Sequence, residues 1–357
     1  MKKVMVIGQL PPPIHGLSLA LKTFIESNKV KKKFTVDTIN LTNNGKIIRN
    51  CINILKSDAD LYYFTISQTK LGNLRDMLII FLISLIKRKK VIIHYHGGYY
   101  KKLYQQFNIL QKKVNKFLLN KVEKIIVLSE NLSDLFEDVV SKSKIVICEN
   151  CIQDQLLPSE QEFNEQLKSN GKSKELNVLY LSNFIKSKGY LDVLEAAKKL
   201  KNKKINFYFA GKFFDEVEKK NFLDDIQKNK LSNVIYYDGI YGEDKRNILL
   251  QSDIFVLPTV YPKEGQPISI LEAMGNMNVI ISTNHAGIPD ILKKENGYLI
   301  DVNNSDISEA IVKKIQYYSE NHDIVQQIKI NNYKYTKEKF SEQVYVDKLI
   351  GIIEDVN

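Results

Sequence analysis

Asp253–Asn284 reads DIFVLPTVYPKEGQPISILEAMGNMNVIISTN. A β-rich apolar run, DIFVLPT, gives way to a loop, then to apolar residues at helical spacing from Ile268 to Met274, then to a second β-rich run, NVIISTN. Strand, helix and strand in that order predict a parallel crossover, the repeating unit of an α/β protein.

The same alternation runs outward in both directions. Upstream, KKVMVIG, KFTVDTINL, DLYYFTI, KKVIIHYHG, KIIVLSE and KIVICEN are strand-like runs separated by longer amphipathic stretches, and LNVLYLS, KINFYFAG and NVIYYDG open a second series that ends on GYLI. Between the two series, Gln153 to Glu175 is polar, poor in β-branched residues and carries Pro158 and Gly171, so residues 154–175 read as a linker. A chain of 357 residues exceeds one ordinary core. Two doubly wound, Rossmann-like domains are therefore expected, over 1–153 and 176–340. Apolar residues at helical spacing in 341–357 predict a last helix that braces the first domain. Ligands of such sheets bind beyond the carboxyl ends of the strands, and a cleft between the two domains is the expected place.

Composition narrows the classes. Hydrophobic residues make up 44% and charged residues 26%, the balance of a globular protein. Met77 to Ile86, the longest apolar run, falls well short of the roughly 20 residues that cross a bilayer. The few apolar residues after Lys2 and Lys3 are too short for a signal peptide, so the expected location is cytoplasmic. Cys51, Cys148 and Cys151 are an odd set. C-E-N-C at 148–151 has no second ligand pair near it, so buried thiols are expected rather than a metal or redox centre.

The formal charge of +11 is unevenly placed. Residues 1–150 hold 25 Lys and Arg against 11 acids, residues 151–357 hold 27 against 30. Lys87 to Lys90, Lys101, Lys102, Lys112, Lys113, Lys116, Lys121 and Lys124 concentrate the excess around the apolar run, a pattern suited to an anionic membrane surface. A lysine-rich solvated surface, with Met77 to Ile86 packed on the sheet, is the competing reading. No recognised nucleic-acid motif accompanies the charge, so no nucleic-acid partner is expected.

The chemistry concentrates in Glu264 to Glu272, EGQPISILE. Pro267 fits the first turn of a helix, where its missing N–H is no loss. The amides of Ile268 and Ser269 then point out of the helix N-terminus, a site for a diphosphate. Glu272 lies about one turn in, within reach of a ribose, while Glu264 stays in the loop near a sugar. A glycosidase would set two carboxylates across one bond; with part of this spacing helical, these two line up along a ligand instead. The first turn, Gly8 to Ser18, has small residues for approach to an anion but lacks G-x-G-x-x-G, which argues against a nicotinamide enzyme.

Taken together, E-G-x6-E-A-M (Glu264, Gly265, Glu272, Ala273, Met274), G-I-P-D at 287–290 and N-G-Y-L around Gly297 resemble the family-4 retaining glycosyltransferases of the GT-B fold, and the likeness extends along most of the chain. The resemblance implies roles one residue at a time. Lys188, before Gly189, meets the donor diphosphate and offsets charge on the leaving group. Asn183 stands where the family usually has an arginine, and supplies only a neutral donor. Gly211 lies under the nucleotide, and Tyr241 meets the base through its backbone. Gly16 meets the donor phosphate, and Gly265, Pro267, Ile268, Ser269 and Glu272 complete the donor site. His96, ahead of the glycines in HYHGG, lies near the donor sugar and joins Glu264 and Lys188 as catalytic, while His94 lies deeper. His15 and Gly97 are expected on the acceptor side. Asn150-Cys151-Ile152 takes the place of the family's N-G-V/I-D hinge, with Cys for Gly and Gln153 for Asp.

The resulting expectation is transfer of a sugar from a nucleotide diphosphate donor, UDP by preference, to a glycan acceptor with retention of configuration. Neither cofactor nor metal is expected, since no D-x-D ends a strand. The basic first half favours a polyisoprenyl-phosphate-linked acceptor in surface polysaccharide synthesis, reached from the inner face of the plasma membrane. Two other readings use the same fold: a nucleotide-sugar epimerase, and a non-catalytic glycan-binding partner of another transferase.

Overall fold

The computed structural model describes residues 1–12, 16–169, 175–303 and 306–356. The chain divides into two compact units. The first comprises Met1–Cys151, Lys263–Gln266 and Glu342–Asn357, the second Ile152–Pro262 and Pro267–Ser341.

In the first unit, strands β1 (Lys2–Gly8), β2 (Phe34–Asn40), β3 (Leu61–Thr65), β4 (Lys90–His94), β5 (Lys124–Val127) and β6 (Ile145–Ile147) form one sheet in the order β2-β1-β3-β4-β5-β6. Every pairing is parallel. β3 and β4 are buried almost throughout, as continuous apolar runs covered on both faces must be. The helices are α1 (Gly16–Glu26), α2 (Asn28–Lys33), α3 (Ile47–Lys56), α4 (Lys70–Phe81), α5 (Tyr100–Gln105) and α6 (Ile109–Leu119).

The second unit holds α7 (Glu160–Ser169), β7 (Leu176–Leu181), α8 (Tyr190–Lys199), β8 (Ile205–Gly211), α9 (Glu216–Lys228), β9 (Val234–Asp238), α10 (Gly242–Gln251), β10 (Ile254–Leu257), α11 (Ile268–Gly275), β11 (Val279–Thr283), α12 (Ile288–Ile291), β12 (Gly297–Ile300), α13 (Ile307–Glu320) and α14 (His322–Lys339). Its sheet, again wholly parallel, runs β12-β11-β10-β7-β8-β9. The crossover from β10 through α11 to β11 places Ile254 beside Val279 and Leu257 beside Ser282.

α15 (Glu342–Glu354) belongs to the first unit. It buries Tyr345, Val346, Leu349 and Ile353 in one core with Val4, Phe24 and Tyr63. Lys29 and Lys33 of α2 pair with its Asp347 and Glu354 at 2.8 and 2.7 Å.

Two boundaries differ from the sequence reading. Residues 154–175 contain a helix, α7, rather than an irregular linker throughout. Ser159 and Glu162 form a capping box, Ser159 N donating to Glu162 Oε2 at 2.8 Å and Glu162 N to Ser159 Oγ at 3.2 Å. Arg246 holds Glu162 at 2.6 Å, and Phe163 stacks on Tyr333 at 4.3 Å, so α7 is fastened to α10 and α14 of its own unit. Arg246 first, then the Ser159 backbone, lower the Glu162 carboxyl to about 2.

The second difference is Lys263–Gln266, expected within 176–340, which belongs to the first unit. Gln266 explains why. Its Oε1 accepts from Asn150 N at 2.7 Å, its carbonyl from Asn150 Nδ2 at 2.9 Å, and its Nε2 donates to Leu128 O at 3.2 Å. Buried polar groups need such partners, and here the first unit supplies them.

Candidate functional site

The proposed site residues fall into two groups, one on each unit. In the first, they gather at the carboxyl end of β4. A Cβ on Gly265 would stand 3.1 Å from His96 O and 3.2 Å from Gly97 Cα, tighter than an ordinary contact, so the two loops approach closely here and glycine leaves them room. Gly98 N lies 3.4 Å from Lys263 O. Glu264, buried, is thereby held on the loop that abuts His96 and Gly97. Gly97 in turn lies against the Gln68 side chain.

His94 and His96 differ. The His94 ring is wholly buried, with Nδ1 2.5 Å from Tyr63 Oη. Burial, and then the neighbouring His96 ring at 3.9 Å, hold its pKa well below the ordinary value, against a smaller upward effect of the Cys148 backbone. His94 is therefore a neutral core residue that supports His96, which is only partly buried above it.

Gly16 opens α1, while His15 lies outside the described residues. The carboxyl ends of β1 and β3, where the strand order reverses direction, border a cavity of about 730 Å3 that sequence reasoning did not find. Gln9, Asn44, Ser67, Lys70 and Arg75 are among its lining residues. Arg75 is fixed by Asp76 at 2.9 Å and by Asn44 at 2.9 Å. Burial raises the Asp76 carboxyl to about 6, against the pull of Arg75 and of Ser67 N.

In the second unit, the residues lie at the carboxyl ends of β7, β8 and β10. Asn183 is exposed just after β7, and Gly211 closes β8, where a Cβ would meet Ser182 O at 1.9 Å. Lys188 ends the short turn before α8, its Nζ 5.4 Å from the Tyr261 ring centre. Gly189 follows with φ +79°, hard against Pro258 O. Ser187 O accepts from Val260 N at 2.7 Å, which ties this turn to the loop after β10. Tyr241 is exposed at the start of α10, with Lys212 5.7 Å from its ring centre.

Pro267 precedes α11 as its capping residue, one position earlier than expected; its carbonyl accepts from Ile270 N at 3.2 Å. The amides of Ile268 and Ser269 open the helix and have no acceptor within it. Glu272 lies one turn in, 2% exposed, and pairs with Lys245 of α10 at 2.6 Å. Sequence reasoning missed Lys245. Its only sequence signal was a lysine three residues beyond Tyr241-Gly242.

Residues 162–335 match the model of the glycosyl transferases group 1 family. WcaL of Salmonella typhimurium, a glycosyltransferase named for colanic acid biosynthesis, is 22% identical over 188 residues, 51% of this chain and 45% of WcaL. The chain's match thus spans less than half the length of that relative. Among solved structures, HepE of Anabaena in complex with UDP and glucose has a TM-score of 0.75 at 14% identity, over 99% of this chain and 100% of HepE. Sucrose-phosphate synthase from Thermosynechococcus elongatus has the same TM-score and identity, covering 100% and 99% of the two chains. The fold is GT-B.

Proposed function

We propose that the protein transfers a sugar from a UDP-sugar to a glycan acceptor, with retention of configuration and without a metal. The observation that carries this reading is the geometry around EGQPISILE. One end of this nine-residue segment is a helix start with donating amides and a buried, cation-paired glutamate. The other is a glutamate on the loop beside His96. The first suits a nucleoside diphosphate, the second a sugar.

In this reading Lys188, Gly16 and the amides of Ile268 and Ser269 stabilise the departing diphosphate. Gly265 and Pro267 shape the turn between the two ends. Glu272, oriented by Lys245, takes the ribose hydroxyls, and Gly211, Asn183 and Tyr241 frame the nucleoside. Glu264 and His96 position the sugar, with Glu264 stabilising positive charge near the anomeric carbon. The acceptor side is the first unit, around Gly97 and His15, and the cavity with Lys70 and Arg75 suits its polar portion. The basic first half favours an acceptor carried on polyisoprenyl phosphate. WcaL's name and the UDP complexes of HepE support polysaccharide synthesis and UDP, respectively.

Calorimetric titration tests the donor assignment. UDP binds, and Lys188→Ala weakens UDP more than UMP, because the lost cation meets the diphosphate. Equal losses for both nucleotides contradict the role of Lys188, and no binding of any nucleoside diphosphate contradicts the function. Turnover unchanged by EDTA is expected for a metal-independent transfer.

A further inference from the structure

Residues 70–121 contain twelve Lys and Arg and a single acid, Asp76, which is buried against Arg75. The apolar side chains of this segment do not all enter the core. Met77, Ile79, Ile80 and Ile83 do, packing α4 and the turn that follows it onto the sheet, while Leu78, Phe81 and Ile86 of the same run are exposed. The neighbouring positions face solvent instead. On α4 these are Leu71, 81% exposed, Leu74 and Leu78; on α6 they are Leu110, 71% exposed, Val114 and Phe117, 54% exposed. Each set follows helical spacing and makes one stripe. A reciprocal bridge joins the two helices, Asn73 Nδ2 donating to Asn115 Oδ1 at 2.8 Å and Asn115 Nδ2 to Asn73 Oδ1 at 3.0 Å. The two helices therefore pack through their buried sides, each carrying its stripe on the solvent side; Lys121 Nζ lies 5.4 Å from the Phe117 ring centre, and Lys112, Lys113 and Lys116 share α6.

We propose that the exposed faces of α4 and α6 dock on an anionic lipid bilayer, inserting their two leucine-rich stripes at the headgroup boundary while the lysines meet lipid phosphates. The charge decides the occupant. A protein partner or a second copy of a chain with this face would need acids opposite the lysines, and the face itself offers none, whereas an anionic leaflet answers both its apolar area and its charge. Long lysine stems lie along apolar surface and keep their ammonium groups in the polar layer. The inference rests on the reading of a lipid-carried acceptor. Leu71 and Lys70 also line the cavity near β1 and β3, so docking by this face puts that cavity beside the bilayer.

Vesicle co-sedimentation of the full chain tests the proposal, with vesicles of neutral phosphatidylcholine and of phosphatidylcholine with 30% phosphatidylglycerol. Binding to the anionic vesicles alone is expected, at least tenfold weaker at 1 M than at 0.1 M salt, since the Debye length falls from about 10 to about 3 Å. Leu110→Glu with Phe117→Glu, and separately Lys112→Gln, Lys113→Gln and Lys116→Gln together, should each reduce the partition coefficient at least tenfold. UDP affinity should stay at the wild-type value in both, which separates a failed docking face from a failed donor site. Equal binding to neutral and anionic vesicles, no binding, or partitioning unaltered in the lysine variant overturns the proposal. So does a dimer in sedimentation velocity that the leucine and phenylalanine changes disperse while vesicle binding persists.

Discussion

At the scale of single residues, the two glutamates of the EGQPISILE segment separate two kinds of task. Glu264 is proposed to act on the sugar, so Glu264→Gln should lower turnover by an order of magnitude or more, the size of a few kcal/mol of electrostatic stabilisation, and leave UDP affinity within a factor of about two. Initial rates and calorimetry on the same preparation check both halves; unchanged turnover contradicts the role. Glu272 is anchored by Lys245. Lys245→Met leaves a buried carboxylate without its cation, so unfolding free energy should fall by about 1 to 3 kcal/mol in denaturant titration. An unchanged midpoint would mean that the 2.6 Å pair contributes nothing. Glu264, Lys188 and Glu272 could be singled out from sequence because each stands in a short local pattern. Lys245, Gln266 and Arg75 were not, because their partners lie 27 positions away, 116 positions away, and, for Asn44, 31 positions away. No spacing rule reaches across such separations.

At the scale of elements, strands were the most legible feature. Every run read as a strand is one; the central strands, covered on both faces, are written as continuous apolar runs, while the edge strands β2 and β9 are partly exposed. Helix α7 escaped because its sequence is polar and its stability comes from a capping box and a long-range arginine rather than an apolar stripe. S-E-Q-E at 159–162 was the signal available. β4 and β3 carry a pH prediction. His94 is buried neutral against Tyr63, and its folded pKa is depressed, whereas in the unfolded chain it titrates near about 6.5. Below that value the unfolded state binds a proton that the folded state refuses, so stability falls as pH drops from about 6.5 towards 5. Asp76 acts oppositely. Its folded pKa near 6 exceeds the unfolded value, so its contribution grows as pH falls through 6 and is lost as pH rises through it. His94→Asn removes the first term alone. Its Tm should therefore decline less than wild type between pH 6.5 and 5, and parallel curves would contradict a neutral buried His94.

At the scale of the whole molecule, the division of charge and the proposed division of chemistry coincide: the unit holding most of residues 1–150 carries the excess of lysine, and the unit matched by the glycosyltransferase family model carries most of the residues proposed to face the nucleotide. The two-unit α/β plan was readable from alternation alone. The assignment of Lys263–Gln266 to the first unit was not, because it follows from one glutamine's hydrogen bonds to Asn150 and Leu128, which sequence order hides. The central claim is that this arrangement moves a sugar between two molecules and keeps its configuration. Proton NMR of the purified protein with a panel of UDP-sugars and a polyisoprenyl-phosphate-linked glycan tests it most directly. The account predicts UDP release only when acceptor is present, and a product whose anomeric coupling matches that of the donor. Conversion of the donor sugar without acceptor, or a product of inverted configuration, would contradict it.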